Sequence, residues 1–365
     1  MVVDQLPELA CYGLAGAPAS PAELLTECGD AETLGLGSMF LSERFNTKEA
    51  VTLSGAAGAV TRTLGIATGV TNHNTRHPIV TASYATTMHR LTGGRFALGL
   101  GRGIERLFQV FGIPQITTAQ LEDFAGLMRR LWAGEVVVGH DGPAGRWPAL
   151  VLDRSFRDDI PLLLSAFGPQ SLQLAGRTFD GAILHTFFTD QTLQRCVRTV
   201  HEAAERAGRD PRSVRVWSCY AVVGDWLSPE LRLRKTVGRM ATYLQGYGDL
   251  LVRTNEWDPA VLARFRADPF VAGFQGALDA TATAAQLEHV ATLIPDEWLA
   301  PAATGTPAQC AAAVLRQMEL GADSVIVHGA TPAELAPMLP AYRAIRPAGR
   351  FDHLDPNPGR THRSA

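Results

Sequence analysis

The sequence predicts a (β/α)8 barrel, and three observations lead to this prediction. Short apolar segments alternate with amphipathic segments along most of the 365 residues. The apolar segments are nearly continuous, which is typical of parallel strands that are buried on both faces. Eight of them are each followed by a helical pattern, and eight such units close most readily into a barrel. A doubly wound open sheet is the structural alternative.

The eight predicted strands are short apolar runs, which lie at residues 9–15, 38–42, 64–70, 95–101, 161–166, 181–185, 214–223 and 324–329. The helices between them have recognisable ends. The first helix has Ser20 as its predicted N-cap, with Pro21 at the first helical position and Glu23 three residues after the cap. The helix after strand three ends in Gly93–Gly94, a pair that suits a left-handed helix stop. Three later segments repeat the scheme: "GPQSLQLAGR", "TDQTLQRCVRTVHEAAERAG" and "TPAQCAAAVLRQMELGA".

Two insertions interrupt this alternation. Residues 134–158 are predicted to form a hairpin around "DGPAG" before strand five, and residues 226–304 form a long, partly helical insertion between strands seven and eight. Loops at these positions lie over the carboxyl-terminal mouth of a barrel, where they form lids and pockets. We therefore predict one barrel domain over residues 1–365, with residues 350–365 as a mobile tail.

Composition excludes several classes of protein. The net charge is −3 and no run of Lys or Arg occurs, which argues against nucleic acid and anionic membranes as partners. The apolar stretches are shorter than the ~20 residues of a membrane span. The amino terminus lacks the basic segment of a signal peptide, and the five cysteines are scattered without a C-x-x-C pair. These features predict a cytoplasmic globular protein with reduced thiols.

Polar groups are concentrated where the predicted strands end, which is where a barrel carries its chemistry. Glu43 and Arg44 follow strand two, and "TGVTNHNTRHP" (68–78) follows strand three. Strand ends are also exposed to solvent, so a single polar residue there does not indicate a functional site. The whole set of polar residues does indicate one. His185 and His328 each end a strand alone, and a structural role suits them as well as a catalytic one.

Two glycine-containing loops are candidates for holding an anion. The glycines of "GLGRG" (99–103) do not match a dinucleotide fingerprint, because they are spaced by two and Glu105 follows without a further glycine in register. They could instead leave backbone N–H groups free for an anion. Gly168–Pro169 begins a helix whose first amides are unpaired. We therefore expect a phosphate between Arg102–Gly103 and Ala166–Gly168.

The sequence lacks the patterns that are typical of several other kinds of catalytic site. It contains no metal-ligand spacing, no G-x-S-x-G nucleophile elbow and no cysteine at a predicted mouth with a neighbouring histidine. No metal site is predicted. No lysine ends a predicted strand, which counts against a cofactor-free lyase or aldolase that uses a Schiff base.

The segments "SERF", "GVTNHNTRHPIVTASYATTMHRLTGGRFALGLGRG" and "FGPQSLQLAGRTFDGAIL" resemble the bacterial luciferase-like superfamily. Within it, the chain resembles the branch that uses the deazaflavin coenzyme F420, which includes the glucose-6-phosphate dehydrogenase of actinobacteria. The similarity covers residues 8–220 and resumes over 305–329. It implies a (β/α)8 barrel of the luciferase-like type, with a flavin or deazaflavin across the carboxyl-terminal mouth.

The resemblance also assigns residues to the cofactor. Gly69–Val70 lies where the deazaflavin enzymes have a non-proline cis peptide that bulges against the ring, and Glu43 lies where the family has an acid near the polar edge of the ring. The loops around residues 102 and 168 match the family's phosphate loops. The predicted cofactor-binding set is Glu43, Gly69, Val70, Thr71, Asn72, Arg102, Gly103, Ala166, Phe167, Gly168, Pro169 and His185.

Two positions depart from the sugar-phosphate dehydrogenases of this branch. Arg44 replaces a histidine and Ile104 replaces an acid, so glucose 6-phosphate is not expected to be the substrate. Arg44 stays protonated and is predicted to stabilise an anionic reduced deazaflavin or an anionic substrate. His73 is the predicted acid or base, because an unperturbed imidazole titrates near neutrality, and Asn74 is expected to orient ring or substrate carbonyls. The predicted catalytic set is His73, Glu43 and Arg44.

The predicted function is hydride transfer between coenzyme F420 and an unidentified small organic substrate, in a homodimer by analogy with the family. One alternative is an FMN-dependent monooxygenase that uses oxygen and a separate reductase. Another is a non-catalytic flavin-binding barrel that has lost its acid–base set.

Overall fold

Eight parallel strands close into a barrel in the computed structural model, which describes residues 4–16, 18–45 and 48–362. Around the barrel the order is β11-β1-β2-β3-β4-β7-β8-β9, and β9 pairs with β11 to close the ring. The predicted (β/α)8 fold is thereby confirmed. The strands are β1 Leu6–Tyr12, β2 Leu36–Leu41, β3 Gly65–Thr68, β4 Phe96–Leu100, β5 Val137–Gly142, β6 Gly145–Leu150, β7 Leu162–Ser165, β8 Gly181–Ile183, β9 Arg215–Gly224, β10 Ala303–Gly305 and β11 Ser324–His328.

Helices surround the barrel and cover its carboxyl-terminal mouth. Short 3-10 turns lie at His73–Thr75 and Pro211–Ser213, and one π-helical turn at Arg234–Gly238 leads into α9. The helices are α1 Glu23–Thr33, α2 Ala50–Val60, α3 Pro78–Leu91, α4 Glu105–Phe111, α5 Thr118–Trp132, α6 Pro169–Thr178, α7 Asp190–Arg206, α8 Pro229–Leu233, α9 Arg239–Asn255, α10 Pro259–Ala267, α11 Pro269–Gly273, α12 Leu278–Thr281, α13 Ala284–Ala291, α14 Asp296–Leu299, α15 Pro307–Glu319, α16 Pro332–Leu335 and α17 Leu339–Ile345. No described helix is both long and apolar enough to cross a membrane.

One side chain from each barrel strand fills the centre of the barrel. Two of the eight are large rings, Phe40 and Trp217, whose centroids lie 5.1 Å apart in an edge-on arrangement. Alanines on the two strands beside Phe40 make room for its ring, because a closed eight-stranded barrel is just wide enough to be filled by side chains. The central layer is Ala10, Phe40, Ala67, Ala97, Leu163, Ile183, Trp217 and Ile326.

The first strand and the first helix begin at residues other than those predicted, whereas the predicted helix stop after α3 is present. The first strand lies at Leu6–Tyr12 rather than 9–15, because Glu8 is fully buried and accepts hydrogen bonds from Tyr342 (3.0 Å) and Arg346 (2.6 Å). Helix α1 begins at Glu23 rather than Pro21, and Ser20 caps only the preceding turn. The left-handed stop is confirmed, with φ of +62° and +89° at Gly93 and Gly94.

The two insertions take different forms. Strands β5 and β6 pair as an antiparallel hairpin across "DGPAG", and His140 of this hairpin contacts Asp123 of α5 at 3.0 Å. The second insertion contains the π-helical turn and α8 to α14. Its last residues extend the sheet, because β10 pairs in parallel with the end of β9.

The carboxyl-terminal segment is built into the fold, which corrects the predicted mobile tail for residues 350–362; residues 363–365 lie outside the described residues. The Trp217 indole donates to the carbonyl of Pro358 (2.7 Å), and the buried Asn357 amide donates to the carbonyl of Phe96 (2.9 Å). The segment thus closes the amino-terminal end of the barrel. The "PNPG" in this segment suggests a mobile tail. Hydrogen bonds with buried residues of the barrel strands hold the segment in place instead.

Candidate functional site

A cavity of about 1330 Å³ opens at the carboxyl ends of the barrel strands. Residues that end or follow six strands line it, and the helical insertion supplies much of the opposite wall. The strand-end residues are Tyr12, Ser42, Gly69, Ser165, His185 and His328. Of the predicted site residues, the cavity brings together Arg44, Gly69, Val70 and His185.

Gly69 and Val70 form the inner surface of the cavity where β3 ends, and the peptide bond between them is cis. Two glycines are required by close packing here. A Cβ at Gly69 would lie 2.8 Å from the Phe40 Cβ, and a Cβ at Gly101 would lie 2.3 Å from a Val70 methyl group. The glycines of "GLGRG" therefore let β4 pack against Val70.

Glu43 lies under this surface and does not line the cavity. Its side chain is 1% exposed, and its carboxylate accepts from Arg76 (2.8 Å) and from the Thr71 hydroxyl (3.1 Å). The Arg76 guanidinium neutralises the buried carboxylate, and together they hold the backbone beside Val70. The structure therefore places Glu43 and Thr71 as supports, in contrast to the predicted ring contacts.

His73 and its neighbours also lie behind the barrel wall. His73 is 4% exposed, its ring packs on Phe124 at 5.2 Å, and burial lowers its pKa to about 4. The Asn72 amide donates to the carbonyl of Gly101 (2.9 Å), and the Asn74 amide donates to that of Pro114 (2.6 Å). "TNHN" thus ties the loops after β3 and β4 together, and the structure does not bring His73 to the cavity.

Burial of His73 predicts a specific acid sensitivity. Because its pKa falls from 6.5 to about 4 on folding, the unfolded chain binds this proton first, and stability is lost as the pH falls below 6.5. Between pH 7 and pH 5, we expect the free energy of unfolding to fall by about 2 kcal/mol more in the native protein than in His73→Asn. Urea unfolding at both pH values measures this. His353→Asn, at an exposed position, should leave the pH dependence unchanged.

The predicted phosphate loops follow β4 and β7, which are adjacent strands. The guanidinium of Arg102 donates to the carbonyl of Ile116 and to the Thr118 hydroxyl, both at 2.6 Å. No side chain caps helix α6 at Gly168, so its first amides stay open to a ligand. None of Arg102, Gly103 or residues 166–169 lines the cavity; their chain neighbours Ile104 and Ser165 do.

His185 forms a hydrogen-bonded pair with Tyr247 of the insertion. Its Nδ1 lies 2.9 Å from the carbonyl oxygen of Thr186, which can only accept, so Nδ1 carries the proton. Its Nε2 then accepts from the Tyr247 hydroxyl at 2.9 Å. Burial lowers the pKa of His185 to about 4 and raises that of Tyr247 well above its ordinary value, so both are neutral near pH 7.

A second pair lies across the same cavity. The Tyr243 hydroxyl is 3.2 Å from Nε2 of His328, and the Tyr243 and Tyr247 rings pack at 5.4 Å. Burial lowers the pKa of His328 well below its ordinary value, and its Nδ1 has no hydrogen-bond partner among the described residues. An unpaired buried ring nitrogen is costly, and it leaves Nε2 as the nitrogen of His328 that meets Tyr243.

Tyr247 reaches the cavity because helix α9 is interrupted at this residue. Its backbone angles are φ −156° and ψ 37°, between Gly246 and Gly248, while the residues on both sides are helical. Non-helical conformations held inside an element are concentrated at functional sites. Tyr247 was not among the predicted site residues, and the glycine on each side of it in "QGYGD" was the available signal.

Cationic side chains predominate in the cavity lining, and Lys48 among them was missed because it follows β2 by several residues. Arg44 and Arg106 have no hydrogen-bond or ion-pair partner among the described side chains, whereas Arg239 pairs with Asp279 at 2.8 Å. The cationic lining residues are Arg44, Lys48, Arg106, Arg234, Lys235, Arg239 and Arg266, against the acids Asp279 and Glu334. Within the described residues, no group of three or more His, Cys, Asp or Glu could hold a metal ion.

Two proteins of known activity resemble the chain, one over most of its length and the other over half of it. A 5,10-methylenetetrahydromethanopterin reductase of Methanolobus tindarius is 26% identical over 322 residues, which cover 86% of this chain and 93% of the relative. A phthiodiolone/phenolphthiodiolone dimycocerosates ketoreductase of Mycobacterium tuberculosis is 32% identical over 190 residues, which is 50% of each chain.

Solved structures share the fold. The coenzyme F420-dependent tetrahydromethanopterin reductase of Methanopyrus kandleri superposes with a TM-score of 0.75 at 19% identity, covering 92% of this chain and 97% of that one. An EDTA monooxygenase of Chelativorans sp. BNC1 superposes with a TM-score of 0.66 at 16% identity, covering 96% and 97%. The family profile for luciferase-like monooxygenases matches residues 6–324. With this match over most of the barrel, the chain belongs to the luciferase-like monooxygenase family.

Proposed function

We propose that this protein is an oxidoreductase that transfers a hydride between coenzyme F420 and a small organic substrate bound in the strand-end cavity. The observation that carries the proposal is a large cationic cavity whose wall contains two neutral tyrosine–histidine pairs. The similarity to the methylenetetrahydromethanopterin reductases, at 26% identity across nearly the full length of one of them, supports a deazaflavin as the cofactor.

The residues present fit a phosphate-bearing deazaflavin. Val70 offers an apolar surface for a ring system, and the uncapped amino terminus of α6 offers amides to a phosphate. Arg106 adds a positive charge without a partner among the described residues, on the same side of the mouth. When bound, the coenzyme supplies the carbon that gives or takes the hydride.

Tyr247 and His185 are the proposed proton-transfer pair. A proton can pass between a substrate oxygen and the Tyr247 oxygen while the proton of the hydroxyl moves to or from Nε2 of His185. The Thr186 carbonyl fixes the tautomer that leaves Nε2 free to accept. This assignment replaces the sequence prediction of His73, which lies behind the barrel wall.

Parallel titration of the purified protein with F420, FMN and FAD tests the cofactor. We expect saturable, micromolar or tighter binding of F420 with at least tenfold weaker binding of FMN. A substrate should then either bleach oxidised F420, when it gives the hydride, or regenerate oxidised F420 from the reduced coenzyme, when it takes the hydride.

Other results of the same titration would contradict the proposal. Tight FMN binding with oxygen-dependent turnover would establish the monooxygenase alternative instead. Tight F420 binding without turnover of any alcohol, ketone, imine or enone would indicate a non-catalytic carrier.

A further inference from the structure

One corner of the cavity carries more positive charge than the protein neutralises. Arg44 and Lys48 both follow β2, and Arg239 begins helix α9; all three line the cavity. Lys48 is only 7% exposed, and burial together with the charges of Arg44 and Arg239 lowers its pKa to about 8. Because each charge acts on the Lys48 amine, the three cations share one electrostatic environment.

Asp279 and Glu27 offset only part of the positive charge of this corner. The Lys48 amine donates to the neutral carbonyl of Leu14. Asp279 is already paired with Arg239 at 2.8 Å, and Arg44 has no hydrogen-bond or ion-pair partner among the described side chains. The nearby Glu27 carboxylate accepts from the Leu14 amide at 2.6 Å, and burial raises its pKa. A partly buried excess of positive charge is unfavourable unless an anion accompanies it.

The cations of this corner follow other strands than the proposed phosphate loops do. Arg44 and Lys48 follow β2 and Leu14 follows β1, whereas Arg102–Arg106 and Ala166–Pro169 follow β4 and β7. In the ring of eight strands, β2 is two places from β4 and three from β7. A cofactor phosphate at β4 and β7 therefore leaves the cations near β1 and β2 for another anionic group.

We propose that Arg44, Lys48 and Arg239 bind an oxyanion of the substrate, a carboxylate or a phosphate, so that the substrate is an organic acid or a phosphate ester. The inference rests on the proposed function, because it assumes that the cofactor phosphate binds at the loops after β4 and β7. The guanidinium of Arg44 suits two oxygens of a planar or tetrahedral anion, and the Lys48 amine adds a single charge. Tyr243, whose ring lies 5.8 Å from the Arg239 guanidinium, connects this corner to the proton-transfer groups.

Calorimetric titration with succinate and with inorganic phosphate tests whether this corner binds an oxyanion. The titrations use the protein with and without F420. In the native protein we expect saturable binding of at least one of the two anions in both states, and a preference between them identifies the substrate's anionic group. Lys48→Met and Arg44→Met should each weaken that binding at least tenfold and change the dissociation constant of F420 less than threefold. Arg44 is exposed, so its variant tests the corner even if Lys48→Met fails to fold.

Arg106→Met is the matched control, because it removes a cavity cation that belongs to α4, the helix after β4, rather than to the segment after β2. It should weaken F420 binding and leave anion binding unchanged. The inference is overturned if neither anion binds to the protein at millimolar concentration, or if the Lys48 and Arg44 variants weaken F420 and not the anions. Failure of F420 to bind the native protein would refute the proposed function alone, since anion binding to the cofactor-free protein is measured separately.

Discussion

Replacement of Arg215 by Met is expected to lower the free energy of unfolding by about 3–5 kcal/mol. Arg215 is fully buried at the start of β9, and its guanidinium donates to the Ser324 hydroxyl (3.0 Å) and to the carbonyl of Pro7 (2.6 Å). Three more carbonyls accept from it, those of Asp355, Asn357 and Arg360. Burial lowers its pKa to about 10, so it remains charged at neutral pH.

The loss of stability is large because one guanidinium donates hydrogen bonds to several buried acceptors. Methionine would fill similar space but leave those oxygens without their donor, and each buried acceptor without a partner costs about 1–3 kcal/mol. The carboxyl-terminal segment would also detach from the end of the barrel. Urea unfolding followed by circular dichroism measures the change.

Two controls accompany this variant. Arg215→Lys keeps a charge but has fewer donors with different geometry, so we expect an intermediate loss. Arg212→Met, at a side chain 85% exposed, should change stability by less than about 0.5 kcal/mol. If Arg215→Met were as stable as the native protein, the carboxyl-terminal segment would not depend on this side chain.

Replacement of Tyr247 by Phe is expected to lower the rate of the chemical step by about 100-fold or more, because the proposed proton donor or acceptor is lost. The ring contacts with His185 (5.2 Å) and Phe167 (5.8 Å) can persist without the hydroxyl. We therefore expect the dissociation constant of F420 to change less than threefold. Single-turnover absorbance of F420, with any substrate the native protein accepts, measures the rate.

Comparison with other variants separates proton transfer from packing. His185→Gln should slow the same step, since it removes the acceptor of the Tyr247 proton. Both variants should alter the pH profile of the rate, which a loss of packing alone would not do. A Tyr247→Phe protein with the native rate would remove this pair from the mechanism and make Tyr243 and His328 the next pair to test.

Much of the fold could be predicted because it depends on patterns that are local in the sequence. Near-continuous apolar strands that alternate with capped helices specify a parallel sheet, and eight of them specify a barrel. The loop positions followed from the same pattern, so the strand-end location of the cavity, with Gly69, Val70 and His185 in its wall, was also predicted. The glycines of "GLGRG" were predicted to hold an anion, whereas the close approach of Val70 is what requires glycine at position 101.

Side-chain direction could not be predicted in this way. Glu43 and His73 both follow barrel strands, yet Glu43 turns toward Arg76 and His73 toward Phe124 of α5. Successive residues of a loop can face the cavity or the surrounding helices, and the choice depends on partners that are distant in sequence. For Glu43 and Arg76 that separation is 33 residues.

The sequence by itself determined the barrel, its family resemblance and the edge of the barrel that carries the site, because these depend on periodic burial and local turn chemistry. Only the tertiary structure decided which polar groups meet in the cavity. Tyr247 comes from an insertion and meets His185 across 62 residues, and the anchored tail meets Arg215 across more than a hundred. Such pairs form because buried polar groups need partners, and only the folded chain shows which partners are within reach.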